Sequence, residues 1–358
     1  MIRLSQLWWL VAGVLVLLVP SGSAFAQTEI SARAATITVG GRLHTQLSST
    51  TVDGAGPTDI FLRRARLYLG IEVNDFLEAV LQPDFVGGKA RLQDAYVRFN
   101  FSDGFAVTVG QMKRAFDLFE LSSSTRLSII ERDGRIPGVD QCTGVGGICS
   151  WSGLNEELAY AERDVGVRFE GDLSEKVSYM AAVTNGTGVN VQDENSSKSY
   201  SARLQVELGG GVRVAANTSI HDYIGPRDDT DYGVALGGDI EFGSWQDGLH
   251  LQAGFVTGDN WLSLDLAGDA ATFRTVQVVG SFYFPIDEGE RFVGVEPVGR
   301  ISWGDPDSNG AGDGGLLLTP GIMFYVLGRS KVGANLDIYS PETGDTEMSL
   351  KLQTYLYF

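Results

Sequence analysis

Residues 60 to 73 read IFLRRARLYLGIEV, which combines the composition of a β-strand with three arginines. One set of alternating positions is apolar and consists of Ala65, Leu67, Leu69, Ile71 and Val73. The positions between them are polar, aromatic or small and consist of Arg64, Arg66, Tyr68, Gly70 and Glu72. Because successive side chains of a strand point to opposite faces, the segment predicts a strand with one apolar and one polar face. The rest of the chain must show whether the apolar face meets a protein core or lipid.

The first 26 residues have the features of a secretory signal peptide. Arg3 precedes an apolar run at residues 7–19, and the sequence SAFA at residues 23–26 fits an A-x-A cleavage site. The run is too short for a membrane-spanning helix, and no later stretch of the sequence reaches the ~18 uninterrupted apolar residues that such a helix needs. We therefore expect residues 1–26 to be a cleaved signal peptide, and the sequence excludes a helical membrane protein.

Charge and cysteine content narrow the range of partners. The chain has 27 Lys+Arg; without Arg3, 26 remain against 45 Asp+Glu, which makes nucleic acid an unsuitable partner. Cys142 and Cys149 lie in a Gly-rich stretch, and export favours a disulfide between them. No neighbouring His or Cys completes a set of metal ligands around them. The sequence predicts no cofactor. Residues 305–310 copy the opening of a calcium loop, D-x-D-x-N-G, but Leu316 occupies the position of its glutamate, so a polar turn is favoured and a loose calcium site stays open.

Alternation of apolar and polar residues recurs throughout the chain after residue 35. It predicts sixteen strands, at residues 36–48, 60–73, 75–86, 89–101, 104–114, 162–171, 174–184, 199–208, 212–221, 231–242, 247–257, 273–284, 291–303, 316–327, 331–340 and 347–358. Very short hairpin turns, such as residues 102–103, mostly alternate with longer links, such as residues 49–59. This asymmetry is typical of an all-β, up-and-down antiparallel transmembrane β-barrel, with tight periplasmic turns and longer external loops.

The last predicted strand indicates that the apolar face meets lipid. One of its faces consists of Met348, Leu350, Leu352, Thr354, Leu356 and Phe358, and the other of Ser349, Lys351, Gln353, Tyr355 and Tyr357. In an outer-membrane barrel the apolar residues face outward and the polar residues border a lumen, while closure removes the strand edges that lipid does not tolerate. The aromatic ending also resembles the terminal signature of such proteins, so we expect the barrel assembly machinery to recognise the strand that ends at Phe358.

The same phase directs several arginines into the lumen. Arg64 and Arg66 point inward, where water and counter-ions remove most of the cost of burying a charge. Arg63 cannot share their side, and we expect it at the rim of the barrel or on a bulge. Neighbouring strands extend the inward set with Arg42, Asp94 and Arg98. Two interpretations stay open, a basic stripe that conducts anions and arginines that only pair with carboxylates of the lumen.

The link at residues 115–161 is too long to be idle in a compact structure. It is the third external loop of the predicted barrel, and in general porins this loop folds into the lumen and narrows it. It contains several acidic residues and three arginines, which are Arg126, Arg132 and Arg135. A narrowed, charged constriction is therefore the selectivity element that the sequence predicts.

Several short motifs resemble the phosphate-selective porin O/P family of Gram-negative outer membranes. They are Val39-Gly40-Gly41-Arg42-Leu43, Phe61-Leu62-Arg63-Arg64-Ala65, Leu92-Gln93-Asp94-Ala95-Tyr96, Val109-Gly110-Gln111, and Ser122-Ser123-Ser124 followed by residues 127–132. The resemblance implies a sixteen-stranded trimeric channel whose arginines line the path, with lysines and a carboxylate that bind the anion at the constriction. It matches Arg42, Arg63, Arg64 and Asp94 to positions near that path. The pattern departs at Thr125, where phosphate-selective members have a lysine.

Together these features predict an outer-membrane porin domain at residues 27–358. Its expected role is passive diffusion of small hydrophilic solutes, and a preference for phosphate or other small anions stays open. The expected partners are outer-membrane lipid, small anions and two further copies of the chain in a homotrimer. Two alternatives remain, a hydrolase embedded in the barrel and a non-conducting barrel that acts as an anchor or adhesin. The hydrolase lacks support, because no G-x-S-x-G motif occurs in the mature chain.

Overall fold

The structure is a computed structural model that describes residues 28–32, 35–52, 58–193, 195–225, 229–286 and 291–358, with side chains from residue 35 onward. The signal peptide expected at residues 1–26 lies outside the described residues. Within the described ranges, no helix is both long and apolar enough to cross a membrane. Strands dominate the described chain, and they account for its architecture.

All sixteen predicted strands are present, and their ends differ from the prediction mostly by a few residues. In chain order the strands are β1 (Thr28–Ala32), β2 (Ala35–Thr50), β3 (Thr58–Asn74), β4 (Leu77–Asp84), β5 (Arg91–Ser102), β6 (Phe105–Lys113), β7 (Arg163–Ser174), β8 (Val177–Thr184), β9 (Ser199–Gly209), β10 (Val212–Ile224), β11 (Thr230–Ser244), β12 (Asp247–Leu264), β13 (Ala270–Phe282), β14 (Phe284–Pro285), β15 (Gly294–Asp305), β16 (Gly315–Leu327), β17 (Ser330–Pro341) and β18 (Glu347–Tyr357). A short 3-10 turn (Val86–Gly88) follows β4.

The strands form one closed antiparallel barrel. From β2 onward each strand pairs with the next, except that β13 and β14 both pair with β15, and β18 pairs with β2, where Tyr357 lies opposite Arg42. The strands β13 and β14 form a single interrupted stave, because both pair with β15. The wall therefore has sixteen staves, as the sequence predicts. The additional strand β1, which the sequence analysis missed, folds back on the first residues of β2.

Burial confirms the predicted phase of the strands. In β18 the lumen-facing side chains Ser349 and Lys351 are 0% and 1% exposed, while the outward Leu350 and Leu352 are 44% and 43% exposed. An apolar face that is exposed on the outside of a closed barrel fits lipid as its solvent. Six two-residue turns and the longer link between β14 and β15 lie at one end of the barrel, the short-turn end, and the other connections lie at the opposite end, the long-loop end.

The connection between β6 and β7 folds into two short helices and packs inside the barrel. The helices are α1 (Leu118–Leu121) and α2 (Trp151–Glu157), and neither was predicted. Their apolar side chains form one buried cluster with inward-facing residues of β11 to β15. Gly254 on β12 provides room for this contact, because a Cβ there would lie 2.7 Å from the ring of Trp151. A disulfide joins Cys142 and Cys149 within the same loop.

Candidate functional site

Polar side chains of β15 and β17 hold the backbone of the long loop at residues 127–131. Asn335 Oδ1 accepts from the Ile130 amide at 2.6 Å, and Arg300 Nη1 donates to the Glu131 carbonyl at 2.9 Å. Lys331 Nζ donates to the Leu127 carbonyl at 2.5 Å. Backbone groups buried against a wall need such partners, since an unpaired one costs about 1–3 kcal/mol. The loop is therefore fixed at this wall by hydrogen bonds as well as by apolar packing.

Three aromatic rings surround the ammonium group of Lys331. Its Nζ lies 5.1 Å from the ring centroids of Tyr325 and Tyr355 and 5.8 Å from that of Trp245. The side chain is only 1% exposed, so the electron-rich ring faces replace part of the hydration that burial removes. Lys331 is thus equipped to hold the loop and not to meet solutes.

Arg63 ties the loop to a second part of the wall, at β3. In the pairing of β2 and β3, His44 lies opposite Arg64 and Thr45 lies opposite Leu62, so Arg63 is the extra residue of a β-bulge, as predicted. Its guanidinium forms a two-pronged ion pair with Glu131, at 2.6 and 2.8 Å. Burial alone would raise the pKa of Glu131, but the charge and hydrogen bonds of Arg63 outweigh it and lower that pKa to about 2.

Glu120, in helix α1 of the long loop, is surrounded by three cations. Arg132 Nη1 lies 3.0 Å from its carboxylate, and Lys113 and Arg163 each lie at 3.5 Å. Arg163 also forms a two-pronged ion pair with Asp94 of β5, at 2.8 and 3.3 Å. Burial opposes ionisation of Glu120, but these cations prevail, chiefly Arg132, and its pKa is lowered. The cluster joins the loop to β5, β6 and β7.

Asp117 caps α1 and titrates in the opposite direction. Its carboxylate accepts from the Phe119 amide and from Trp151 Nε1, both at 2.8 Å. Burial raises the pKa of Asp117 to about 6, although these hydrogen bonds oppose the shift. A carboxyl group whose folded-state pKa is raised does not lower the free energy of unfolding at low pH, because it is protonated in both the folded and the unfolded state. The decrease in this free energy grows as the pH rises toward 6 and is complete above it.

We therefore expect Asp117→Asn to become progressively more stable than the wild type as the pH rises from 4 to 8. The gain is at most about 3 kcal/mol, which corresponds to the size of the pKa change. Thermal unfolding in detergent, followed by circular dichroism at several pH values, measures it. Asp140→Asn is the control, because Asp140 is an exposed aspartate of the same loop. A stability difference that does not depend on pH would contradict this role of Asp117.

A cavity of about 1150 Å³ lies below the tip of the loop, on the side of the lumen that the loop leaves free. It is bordered by residues 123–125 of the loop, by the walls of β2, β3 and β5 to β7, and by the turn between β16 and β17. Six basic side chains line it, and they are Arg42, Arg66, Lys113, Arg163, Arg168 and Arg329. Among the described residues, Asp94 is the only acidic side chain in its lining.

Several of these bases form ion pairs with carboxylates that do not line the cavity. Asp84 lies 2.6 Å from Arg66 and Glu170 lies 2.6 Å from Arg168, yet neither carboxylate lines the cavity. Glu120, which faces Lys113, does not line it either. Because the bases line the cavity and these three carboxylates do not, we expect an ion in the cavity to meet a positive potential.

The structure brings three of the predicted path residues to the cavity. Arg42, Arg66 and Asp94 line it, and Arg42 and Arg66 are paired across β2 and β3. Arg64 is buried beside them, with Nη1 3.5 Å from His44 Nδ1, and does not line the cavity. Arg98 lies outside the lining too, since it pairs with Glu78 and Glu170. Some of these arginines pair with carboxylates and some line the cavity, and Arg66 does both, so both interpretations of the arginines stay open.

The three predicted arginines of the loop have different surroundings. Arg132 binds Glu120 and the carbonyl of Phe119, so it stabilises the fold of the loop. Arg126 and Arg135 are exposed, and neither lines the cavity. The part of the loop that narrows the cavity is the polar tip at residues 123–125. The expectation that these three arginines form the constriction therefore lacks support in the lining of the cavity.

Sequence reasoning did not select Lys113, Arg163 or Arg329. Lys113 and Arg163 lie opposite each other at the ends of β6 and β7, at positions that the alternation would direct outward. They turn inward because the ladder ends there and the loop supplies Glu120 as a partner. The sequence offered one signal for these two residues, which is that Lys113 directly precedes the long loop and Arg163 directly follows it. Arg329 lies in a tight turn, where alternation makes no prediction.

A closed barrel of sixteen staves with an apolar outer face, a loop folded into its lumen and a basic cavity beneath it is the architecture of an outer-membrane porin. The family model described as phosphate-selective porin O and P matches residues 37–238, more than half of the chain, and the chain belongs to that family. The fold and the family indicate a channel rather than an enzyme. No curated protein matches the sequence.

Solved structures share the fold at low sequence identity. The outer membrane channel DcaP of Acinetobacter baumannii is 14% identical over 92% of this chain and 100% of that chain, with a TM-score of 0.64. An anion-selective porin from Comamonas acidovorans is 11% identical over 90% and 100%, with a TM-score of 0.63. The trimer form of OmpT from Vibrio cholerae is 10% identical over 91% and 100%, with a TM-score of 0.61.

Proposed function

We propose that this porin conducts small anions in preference to cations, phosphate among them, and that the cavity beneath the loop is where it selects. The observation that carries the proposal is the charge of the side chains in the lining, with six bases against one acid among the described residues. Water in a narrow passage screens a charge less than bulk water does, so this imbalance lowers the energy of an anion and raises that of a cation.

In this proposal the residues that line the cavity have different roles in anion passage. Arg42 and Arg66 face the passing anion, and Asp94 keeps Arg163 turned toward the cavity. Arg64 adds charge from behind the wall. An anion exchanges part of its hydration for these guanidinium groups, and several sites of moderate strength allow it to leave again. No cofactor and no covalent step is needed.

The comparisons support the proposal at the level of the family. The family is described by its selectivity for phosphate, and one solved relative in fold is an anion-selective porin. We further propose that the chain forms a homotrimer, since a relative in fold has a trimer form. We also propose that a signal peptide is cleaved after residue 26 and that the barrel contacts outer-membrane lipid. The barrel assembly machinery is proposed to recognise the strand that ends at Phe358.

Ser199, His221 and Asp222 form a polar cluster that resembles a hydrolytic site, but its geometry does not favour catalysis. Ser199 Oγ lies 3.3 Å from His221 Nδ1, but its hydroxyl donates to Asp222 at 2.6 Å. A serine nucleophile needs its proton directed toward the base, and it needs access to substrate. All three side chains are at most 5% exposed. We propose that this cluster fixes β9 to β10.

The reversal potential of the wild-type protein in planar bilayers tests the proposal. In a tenfold KCl gradient an ideally anion-selective channel reaches ~59 mV, the limit for a monovalent ion. We expect a clear potential of the anion-selective sign, short of this limit. A potential of zero or of the cation-selective sign would refute the anion preference. Absence of any conductance would favour the anchor or adhesin, and hydrolysis of a lipid or peptide would favour the enzyme.

A further inference from the structure

Arg274 is a basic side chain on the lipid-facing side of the barrel. In β13 its neighbours Phe273 and Thr275 point into the lumen and are 0% exposed, so the side chain between them points outward. Arg274 itself is exposed and does not line the cavity. The strand phase also directs Lys113 and Arg163 outward, but both of them turn into the cavity. Arg274 keeps the outward direction, so its charge needs an explanation outside the ion path.

The neighbours of Arg274 indicate its level in the membrane. The next outward residues of β13 toward the short-turn end are Val276 and Val278, which are 39% and 43% exposed. In the ladder with β15, Val276 lies opposite Trp303, and Arg274 lies opposite Asp305. The apolar face therefore ends at a tryptophan, and Arg274 lies one outward position beyond it, toward the long-loop end. Tryptophan rings are typical of the membrane interface, which is also the level of lipid headgroups.

The guanidinium group of Arg274 has no counter-charge in the described part of the chain. Its side chain forms no ion pair and no hydrogen bond with any described residue. Asp305, the acid opposite it, belongs to the loop after β15, where its Oδ1 accepts from the Asp307 amide at 3.1 Å. Thr257, opposite on β12, donates its hydroxyl to the Phe273 carbonyl at 3.0 Å. A charge on the lipid face is tolerated near the interface, where a headgroup can neutralise it.

We propose that Arg274 binds the phosphate group of an outer-leaflet lipid whose acyl chains lie along Val276, Val278 and the ring of Trp303. The proposal rests on the proposed contact with outer-membrane lipid, and it names the chemistry and the residue that give this contact specificity. The planar guanidinium matches two oxygens of one phosphate, and all of its donors are free of described partners. The site lies on the outer face of the wall, so it is separate from the anion path in the lumen.

Titration of the purified protein in detergent with phosphatidic acid, followed by native mass spectrometry, tests the lipid site. Diacylglycerol with the same acyl chains is the chemical control, since it lacks only the phosphate. Arg274→Gln removes the charge-assisted hydrogen bonds, so the half-saturating phosphatidic acid concentration is expected to rise about tenfold, while diacylglycerol binding stays unchanged. Arg135→Gln is the matched control, because Arg135 is an exposed arginine of the long loop. Its half-saturating concentration is expected to stay within about twofold of the wild type.

Several results would overturn the lipid site. They are equal binding of phosphatidic acid by Arg274→Gln and the wild type, equal weakening in Arg135→Gln, and displacement of the lipid by an equal concentration of inorganic phosphate. Dissociation of an Arg274→Gln oligomer with unchanged lipid binding would assign Arg274 to a contact between copies instead. Because Arg274 is exposed and has no described partner, the variant keeps the barrel intact, and single-channel conductance verifies it. If the wild type bound neither lipid, the proposed lipid contact would fail as well, whereas equal binding of both lipids would refute only the phosphate site.

Discussion

Combined replacement of Arg42 by glutamate and Arg66 by glutamine is expected to convert the channel from anion-preferring to cation-preferring. Both side chains line the cavity and are neighbours across β2 and β3. The two substitutions change the local charge from two positive to one negative. Glutamine at position 66 avoids a second carboxylate beside Asp84, which lies 2.6 Å from Arg66. The effect is large because charges in a narrow passage act at short range, where salt screens them little.

The sign of the reversal potential in a KCl gradient measures this change. Arg126→Gln with Arg135→Glu is the matched control, since it alters the charge of the same chain by the same amount at exposed positions outside the cavity. We expect the control to retain the wild-type sign. If the cavity variant kept the anion-selective sign, or if both variants shifted equally, the cavity would not be the selectivity element.

Arg300→Leu is expected to destabilise the protein and to release the long loop from its wall. Arg300 is 2% exposed, pairs with Asp337 at 2.9 Å and donates to the backbone carbonyls of Glu131 and Arg132. Removing one partner of a buried ion pair costs about 3–5 kcal/mol, and the two carbonyls lose a donor as well. Lys351 also contacts Asp337, which directs the estimate to the lower end of that range. A loosened loop should give a larger and noisier single-channel conductance.

Thermal unfolding in detergent and single-channel recording test the two parts of this prediction. Arg213→Leu is the control, because Arg213 is an inward arginine that pairs with Glu241 at 3.0 Å and has no hydrogen bond to the loop. It is expected to lower stability less and to leave the conductance unchanged. A folded Arg300→Leu protein with wild-type conductance would show that the loop does not depend on this tether.

The wall of the barrel could be predicted from the sequence because one physical rule governs it. Every strand has lipid on one face, so outward residues such as Leu350 and Leu352 must be apolar. The same phase correctly directed Arg64 and Arg66 into the lumen, and it correctly isolated Arg63, which the structure assigns to a bulge. Closure of β18 onto β2 follows from the need to pair both edges in lipid.

The interior could not be predicted in the same way. Alternation assumes that inward residues meet water, yet Val256 and Phe273 face inward and are 0% exposed because the loop covers them. The helices α1 and α2 are too short for a recognisable helical period and depend on this wall for their burial. The sequence therefore indicated that the loop enters the lumen, but not which wall it covers.

The loop divides the lumen, and this division explains the site. Its apolar side packs on β11 to β15, which leaves the passage against the strands near β2, β3 and β5 to β7. Arg42, Arg66 and Asp94 could be selected from phase alone because they lie on that free wall. Lys113 and Arg163 needed the loop, whose Glu120 draws them inward against the strand phase.

A cysteine at position 124 tests most directly whether ions pass the cavity beneath the loop tip. Cys142 and Cys149 are joined in a disulfide, so Ser124→Cys adds one reactive thiol among the described residues. Leu350→Cys, on the lipid-facing side of β18, is the control. We predict that a bulky thiol-specific reagent reduces the current of Ser124→Cys by more than half and leaves that of Leu350→Cys unchanged. A current that stays constant after complete labelling at position 124 would contradict this path.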